Sequence, residues 1–421
     1  MTRRPMSAGA IAAVLLGLVM AATVGRVDGA DWPQYRGPNR DGKSTETGLV
    51  RSWGDHGPRE IWRIPIGAGF SGVSVVGDHL YTMDSDDETE YALSLDAGTG
   101  DTLWRVSVGP IFKDGNGDGP RAAPTVEGAR VYVLGSRGHL AALEKDSGEV
   151  VWKVDYSEAF GSELPIWAFT SAPLVEGELL VMETGGSGEQ AIAAFDKHSG
   201  EVRWTAQGAT IAYSAPIALD LGGRRQLVFL LKEKLVALDP DGQELWSFPW
   251  ASDGGIKPAL PVFLPPDRVL AGASYDIGAV LVKVGASGTS AEEVWSSRFM
   301  RTHINTAVAL GDHVYGFDTG TLRCLDAGTG ERGWAKRGLG KGSFIYADGM
   351  FIILSERGKL VLAEATPERY RQLAAHQVLE DRCWTAPSLA NGRLYVRNHT
   401  ELVCLDLRAG ARSASATREA Q

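Results

Sequence analysis

Apolar and polar positions alternate in short runs along most of the chain, and one stretch shows the pattern in full. From Val314 to Trp334 the sequence reads VYGFDTGTLRCLDAGTGERGW, in which two alternating runs and a short run ending in Trp are separated by Gly-containing turns. Alternation bounded by such turns is typical of half-buried strands joined as hairpins. This stretch therefore predicts three strands of a small antiparallel sheet.

The same pattern recurs along the chain. The segments LSLDAGTGDTLW, AALEKDSGEVVW, AAFDKHSGEVRW and VALDPDGQELW repeat it, and VKVGASGTSAEEVW is a variant with a longer turn. Seven tryptophans share the final position, at spacings of 42, 48, 52, 42, 49 and 39 residues: Trp62, Trp104, Trp152, Trp204, Trp246, Trp295 and Trp334. A period of this size predicts the blades of a β-propeller.

The turn before each Trp has a physical explanation. An Asp side chain accepts hydrogen bonds from backbone N–H groups two or three residues further on, and the Gly that follows adopts a positive φ without a Cβ clash. The Trp covers a large apolar area, and its indole N–H can bond to an adjacent blade. We therefore expect each repeat to be attached to its neighbour.

The N-terminal strand of the repeat region is expected to complete the last blade. The segment Glu60–Gly67 is an outer strand without inner strands, and the last repeat, Thr385–Leu407, lacks a terminal Trp strand. Pairing of the two would close the ring and remove an exposed edge. We predict an all-β fold, an eight-bladed β-propeller of four-stranded antiparallel blades, with seven blades as the alternative. In the irregular seventh repeat, Glu364–Ala375 is expected to form a helical turn.

Four segments follow from these patterns. Residues 1–30 have the pattern of a secretory signal peptide, with Arg3 and Arg4 before an apolar run and with the small residues Gly29 and Ala30 at its end. We predict cleavage near residue 29 or 30. A retained membrane anchor is the alternative, and Sec export is favoured over the twin-arginine route. Residues 31–59 are predicted to be an extended lead-in across the propeller, 60–407 the propeller, and 408–421 a disordered tail.

The net charge limits the classes of partner. The net charge of -10 and the absence of a basic run argue against nucleic acid or an anionic membrane surface as the partner.

The three cysteines, Cys324, Cys383 and Cys404, are an odd number that fits no disulfide framework. Cys324 and Cys404 occupy a small-residue position of the repeat, so core packing is the favoured role. A bridge between Cys383 and Cys404 is left open.

With these repeats laid out, the chain resembles the PQQ-type (quinoprotein) eight-bladed β-propellers. The resemblance is carried by the A-P-x-V-x-G, V-Y-V and L-x-A-L-D-x-x-T-G-E-x-x-W succession at 123–152, 172–204 and 306–334. The chain is also similar to exported bacterial PQQ-like repeat proteins. These open with WPQYRGPNRDG, here Trp32–Gly42, and end with a segment like Cys383–Leu407. The resemblance implies the fold but does not define the activity, because one propeller fold hosts many functions.

Two relatives with defined roles differ from this chain. Quinoprotein alcohol dehydrogenases are longer and carry an adjacent Cys pair over the quinone, a Ca²⁺ site and an Asp base, whereas this chain has no Cys-Cys pair. The outer-membrane assembly propeller is a lipoprotein, and no Cys stands at the predicted cleavage point of this chain.

Residues just before each inner strand are expected to face the central funnel. Two indoles, a phenol and several cations in this set would suit a flat anionic ligand such as PQQ, through stacking and charge pairing. The alternative is that these side chains fill the channel and satisfy one another. The set comprises Arg121, Trp167, Tyr213, Lys257, His303, Asn305 and Trp384.

A weak metal motif lies in the loop FKDGNGDGPR. Asp114, Asn116 and Asp118 have the D-x-N-x-D-G spacing of a Ca²⁺ loop, but the twelfth position is Thr125 instead of a bidentate Glu. A Gly-rich loop without metal is the favoured interpretation. No nucleophile elbow, P-loop or zinc motif occurs, and no catalytic residue is predicted.

These observations favour an exported binding or assembly scaffold of the cell envelope, periplasmic or secreted and without catalysis of its own. Its partner would be an envelope protein or a small anionic ligand, with no nucleic acid and no stable membrane span after signal cleavage. No cofactor is expected. The alternative is a reduced quinoprotein dehydrogenase that binds PQQ with Ca²⁺ and oxidises an alcohol or a sugar.

Overall fold

A computed structural model of the chain describes Met1, residues 30–251 and residues 256–410. The predicted signal peptide, apart from its two end residues, and positions 411–421 of the predicted tail lie outside the described residues. The strands are β1 (Arg59–Pro65), β2 (Ser74–Val76), β3 (His79–Ser85), β4 (Thr89–Asp96), β5 (Thr102–Pro110), β6 (Thr125–Glu127), β7 (Arg130–Leu134), β8 (His139–Glu144), β9 (Val150–Asp155), β10 (Leu174–Glu176), β11 (Leu179–Glu183), β12 (Ile192–Asp196), β13 (Val202–Ala206), β14 (Ile217–Leu221), β15 (Arg224–Leu230), β16 (Lys234–Leu238), β17 (Glu244–Pro249), β18 (Val262–Leu264), β19 (Arg268–Ala273), β20 (Gly278–Val284), β21 (Ala291–Ser297), β22 (Val308–Leu310), β23 (His313–Asp318), β24 (Thr321–Asp326), β25 (Arg332–Lys336), β26 (Ser343–Ala347), β27 (Met350–Leu354), β28 (Lys359–Glu364), β29 (Gln372–Gln377), β30 (Ser388–Ala390), β31 (Arg393–Arg397) and β32 (Glu401–Asp406). A short helix, α1, spans Tyr156–Phe160.

These strands form eight four-stranded antiparallel sheets. Blades 1 to 7 are built from consecutive strands, β2–β5 through β26–β29, and blade 8 combines β30, β31 and β32 with β1. In blade 8 Glu60 pairs with Leu405 and Trp62 with Cys404. The eight-bladed propeller and its closure by the N-terminal strand are therefore confirmed, and the seven-bladed alternative is wrong.

A β-bulge recurs in the outer strand of every blade. The pairing of that strand with its neighbour shifts by one residue at the same place in each blade, which leaves one residue unpaired. In blade 2, for example, Ala142 pairs with Trp152 and Leu143 with Val150, so Val151 is the extra residue. A bulge re-aims the side chain that follows it. It thus helps to direct the Trp out of its own sheet.

In the described chain six tryptophans donate an indole hydrogen bond to a carbonyl of the next blade. Trp152 Nε1, for example, lies 3.1 Å from the carbonyl oxygen of Lys197 in blade 3. The turn glycine of that blade, Gly200, packs against the same indole, because a Cβ there would lie 2.7 Å from a ring atom. The other five donors are Trp62, Trp104, Trp204, Trp295 and Trp334.

The turn that precedes the Trp also has the predicted chemistry. Asp96 Oδ1 accepts hydrogen bonds of 2.8 Å from the backbone N–H groups of Gly98 and Thr99. The equivalent oxygen of Asp326 accepts from Gly328 and Thr329. The repeated carboxylates are therefore structural.

The seventh repeat contains no helical turn at 364–375. β28 ends at Glu364, and β29 begins at Gln372, with Leu362 paired to Ala374. Residues of good helix propensity fill the outer strand here, because pairing with β28 and packing on the blade outweigh a small intrinsic preference.

The three cysteines are free and buried, so the bridge between Cys383 and Cys404 is not formed. Cys404 lies in β32, where it pairs with Tyr395 and Trp62. Cys383 lies in the loop before β30, and its thiol faces the carbonyl oxygens of Glu380 and Asp381 at 3.8 Å. Burial raises the pKa of both thiols to about 12.

The segment at 31–50 crosses one face of the ring. Trp32 exchanges two 2.8 Å backbone hydrogen bonds with Val75 of blade 1. The buried guanidinium of Arg36 donates to the carbonyl oxygens of Thr306 and Phe344, beside blades 6 and 7. Arg40, also buried, donates to those of Ala172 and Pro173 beside blade 3. Two arginines thus tie this segment to distant blades.

Candidate functional site

A cavity of about 210 Å³ lies where the inner strands converge. Segments preceding the inner strands of all eight blades line it, and Tyr35 of the crossing segment contributes from the face that the segment covers. Five of the seven predicted funnel residues are brought together here: Arg121, Trp167, Tyr213, His303 and Trp384. Their positions just before inner strands explain why the repeat pattern located them.

Lys257 and Asn305 lie outside the cavity lining. Lys257 is fully buried, its ammonium donates to the carbonyl oxygens of Leu231, Lys232 and Trp250, and burial lowers its pKa to about 8. Asn305 is also buried and donates its amide hydrogen bond to the carbonyl oxygen of Gly342. Both side chains therefore connect loops of the propeller.

Arg121 is held by the loop that carries the weak metal motif. Its Nη2 lies 3.0 Å from Asp114 Oδ2 and 3.0 Å from the carbonyl oxygen of Gly117. Asp114 Oδ1 accepts from the backbone N–H of Asn116 at 2.6 Å, and Asp118 Oδ1 accepts from that of Asp114 at 3.2 Å. The loop thus binds the guanidinium of Arg121 through a carboxylate and a backbone carbonyl oxygen.

Two aromatic pairs flank the cavity. The rings of Trp167 and Tyr213 meet edge to face, with centroids 5.5 Å apart. Phe70 stacks on Trp384 at 5.3 Å, and Trp384 donates its indole hydrogen bond to Glu356 Oε1 at 3.0 Å. These contacts fix the indole of Trp384 in one orientation.

Sequence reasoning missed several other lining residues, among them Phe70, Tyr275 and Lys341. Phe70 and Lys341 come shortly before inner strands, which is the signal that could have found them, whereas Tyr275 lies in the turn between β19 and β20. Lys341 makes no ion pair among the described residues, and its ammonium lies 5.6 Å from the ring centroid of Trp384. It is therefore a cation of the cavity with no carboxylate within ion-pair distance of its ammonium in the described chain.

Two histidines near the cavity have strongly lowered pKa values. Burial, followed by the positive charge of Lys341, lowers the pKa of His303 to about 4. Burial and three arginines lower the pKa of His399 to about 4, and its ring packs edge-on against Phe70 at 4.1 Å. Both rings are neutral at neutral pH. His303 Nδ1 is buried and has no hydrogen-bond partner in the part of the chain that is described.

Exposed apolar side chains occur in two segments that contribute to the cavity lining. Tyr275, which lines it, is 51% exposed. Ile166 directly precedes the lining residue Trp167 and is 76% exposed, and Leu164 is 43% exposed. These three residues are called the rim below. In the described ranges no helix has both the length and the apolar character needed to span a membrane.

The quinone and calcium implied by the quinoprotein resemblance fit these residues poorly. Ca²⁺ takes about six to eight oxygen ligands, but Asp114 is occupied by Arg121 and by turn N–H groups. Within 30–251 and 256–410 no group of three or more His, Cys, Asp or Glu side chains is placed to hold a metal ion. PQQ carries three carboxylates, whereas Lys341 is one cation and Arg121 is already paired.

The ring of repeats, the closure by β1 and the central cavity define a PQQ-type β-propeller. The family model described as "Outer membrane protein assembly factor BamB" matches residues 88–336, more than half of the 421 residues. The chain therefore belongs to this family, and the resemblance to PQQ-like repeat propellers is confirmed.

Individual relatives are more distant. The outer membrane protein assembly factor BamB of Burkholderia pseudomallei is 25% identical over 295 residues, which cover 66% of this chain and 68% of the relative. The crystal structure of BamB from Moraxella catarrhalis has a TM-score of 0.61 at 15% identity and covers 84% of this chain and 98% of that one. Quinohemoprotein alcohol dehydrogenase from Comamonas testosteroni has a TM-score of 0.70 at 14% identity, covering 93% and 82%. At such identities the two structures show the fold alone.

Proposed function

We propose that this chain is an exported, non-catalytic scaffold that binds other proteins of the cell envelope and acts in outer-membrane assembly. The family match at 88–336 and the name of the relative from Burkholderia pseudomallei support this role. The proposed location is the periplasm, which agrees with the signal-like pattern at 1–30.

The observation that carries the proposal is the rim beside the aromatic cavity. Exposed apolar groups next to a concave aromatic surface are typical of protein-binding sites, because burying them against a partner is favourable. Ile166 is 76% exposed in a chain whose aliphatic side chains are otherwise mostly buried. A partner segment that covers the rim and places an apolar side chain in the cavity would remove this surface from water.

The polar groups of the cavity favour binding over chemistry. Arg121 is paired with Asp114, and the indole N–H of Trp384 is donated to Glu356. His303 is neutral at neutral pH, because its pKa is about 4, and lies beside the cationic Lys341. A general base needs a pKa closer to the working pH.

Retention of partners tests the proposal. The purified chain from residue 30 onward is immobilised and incubated with a detergent extract of the bacterial envelope, and retained proteins are identified by mass spectrometry. We expect outer-membrane assembly proteins to be retained by the wild type and lost from the rim variant Leu164→Glu/Ile166→Glu. The control Leu103→Glu/Val151→Glu changes two exposed apolar residues, 48% and 37% exposed, on outer strands away from the cavity lining. Equal retention by both double variants would contradict a role for the rim.

Deletion of the gene tests the role in the cell. We expect the amount of folded outer-membrane protein in the membrane fraction to fall, and expression of the wild-type chain to restore it. Unchanged amounts of every outer-membrane protein in the deletion strain would contradict the assembly role.

A further inference from the structure

A carboxylate of the crossing segment is buried without a cation beside it in the described chain. Glu46 is 0% exposed, and its Oε2 accepts a 2.7 Å hydrogen bond from the backbone N–H of Gly392, between β30 and β31. Its Oε1 accepts a 3.2 Å hydrogen bond from the backbone N–H of Ala30. No lysine, arginine or histidine forms an ion pair with Glu46 among the described residues. An ionised carboxylate without a countercharge is costly to bury.

The atom that faces Glu46 Oε1 lies at the predicted start of the mature chain. Signal cleavage sites carry small, uncharged residues at the first and third positions before the cut. A cut after Ala30 would put the charged Asp28 at the third position, whereas a cut after Gly29 puts Val27 there and Gly29 at the first. The sequence therefore favours the bond between Gly29 and Ala30.

We propose that signal cleavage at the bond between Gly29 and Ala30 supplies the missing cation. A signal peptidase uses one water to break the C–N bond, which leaves a carboxylate on Gly29 and an amine on Ala30. The amine takes up a proton and becomes an α-ammonium, since an α-amino group has a pKa of about 7.7–8.0. This ammonium then forms a part-buried ion pair with Glu46. Maturation thereby fastens the crossing segment to blade 8.

The strength and the pH dependence of the contact with Glu46 should differ between the cleaved and the uncleaved chain. In the uncleaved chain Ala30 offers one neutral N–H, whereas the cleaved chain offers a charged donor, and hydrogen bonds between charged groups are about twice as strong. The ion pair raises the pKa of the α-ammonium in the folded state. Burial raises the pKa of the Glu46 carboxyl above its usual value. The stabilisation is therefore present between that pKa and about pH 7.7, and it is lost as the pH rises through the raised pKa of the α-ammonium or falls through the pKa of Glu46.

A double-mutant cycle on the mature chain tests the pair. Four proteins are compared: a chain beginning at Ala30 with a free amine, the same chain N-acetylated at Ala30, and each of these with Glu46→Gln. We expect acetylation to shift the unfolding equilibrium toward the unfolded state by about tenfold or more at pH 6.5, and to have little effect in the Glu46→Gln background. Glu88→Gln, at an exposed position, is the control and should leave the effect of acetylation intact. Equal effects of acetylation in the wild-type and Glu46→Gln backgrounds would overturn the proposal.

This inference rests on the proposed export, and N-terminal sequencing separates the two. Protein isolated from the periplasmic fraction should begin at Ala30. A mature chain that begins at another residue would overturn the cleavage site and leave export standing, whereas an uncleaved chain confined to the cytoplasm would overturn export itself.

Discussion

Trp246 donates its indole hydrogen bond to Gln226 Oε1 within its own blade, at 2.7 Å. Nε2 of the same amide donates to the carbonyl oxygen of Gly288 in blade 5, at 3.0 Å. At six other junctions of the described chain the indole reaches a carbonyl of the next blade directly. The turn before Trp295 is longer than the turns before the other tryptophans of the repeat, and here a buried amide links the indole of blade 4 to the carbonyl of blade 5.

Gln226→Leu should therefore destabilise the junction of blades 4 and 5. Gln226 is 0% exposed, and the substitution leaves the Trp246 N–H without an acceptor and the Gly288 carbonyl without this donor. We expect a loss of about 1–3 kcal/mol in the free energy of unfolding, measured by urea denaturation. Gln243→Leu, at an exposed position in the same blade, is the matched control and should cost less than about 0.5 kcal/mol.

Gly200→Ala should cost more than Gly177→Ala. Both glycines have positive φ, +76° and +57°, so an alanine is strained by about 1–2 kcal/mol at either position. A Cβ at Gly200 would lie 2.7 Å from Trp152, whereas nothing lies within 4 Å of one at Gly177. We expect an additional loss of about 1–3 kcal/mol for Gly200→Ala, by thermal and urea unfolding. Equal losses would show that the indole contact is unimportant.

His303 and His399 should titrate well below the ordinary histidine pKa of about 6.5. Their folded-state pKa values are about 4, below the ordinary 6.5, so between these values the unfolded state binds more protons. Their contribution to stability is therefore full above pH 6.5 and is lost as the pH falls toward 4. NMR titration of the ring protons should assign a pKa near 4 to both His303 and His399. His399→Gln should make the urea midpoint less dependent on pH between 7 and 5, and an unchanged slope would contradict the assignment.

Addition of PQQ and Ca²⁺ should leave the melting temperature of the purified chain nearly unchanged. A ligand at a hundred times its Kd stabilises the native state by about 2.7 kcal/mol, so tight binding would produce a clear upward shift. Lys341→Glu should remove any such shift if the anion occupies the cavity, because Lys341 is the cavity cation that has no ion pair within the described ranges. A large shift, with reduction of a dye in the presence of an alcohol, would favour the quinoprotein dehydrogenase.

The repeat register located five of the cavity residues because it is a local property. Each inner strand begins at a fixed place in its repeat, so Arg121, Trp167 and Tyr213 were found from sequence position alone. The same register placed Lys257 and Asn305 in the set, but their side chains turn to carbonyl groups of neighbouring loops. Register gives the position of a Cα atom, whereas the direction of a long side chain depends on the acceptors around it.

The sequence by itself determined the eight sheets, their closure by the N-terminal strand and the turn chemistry, since alternation, period and turn residues act over a few positions. Only the tertiary structure decided which polar group meets which. Arg36 and Phe344 are 308 positions apart, and Glu46 and Gly392 are 346 apart. No local pattern encodes such pairs, because their distances are fixed by the curvature of the whole ring. The burial of Glu46 against blade 8 and the place of Lys341 in the cavity were for that reason not predictable before the ring was closed.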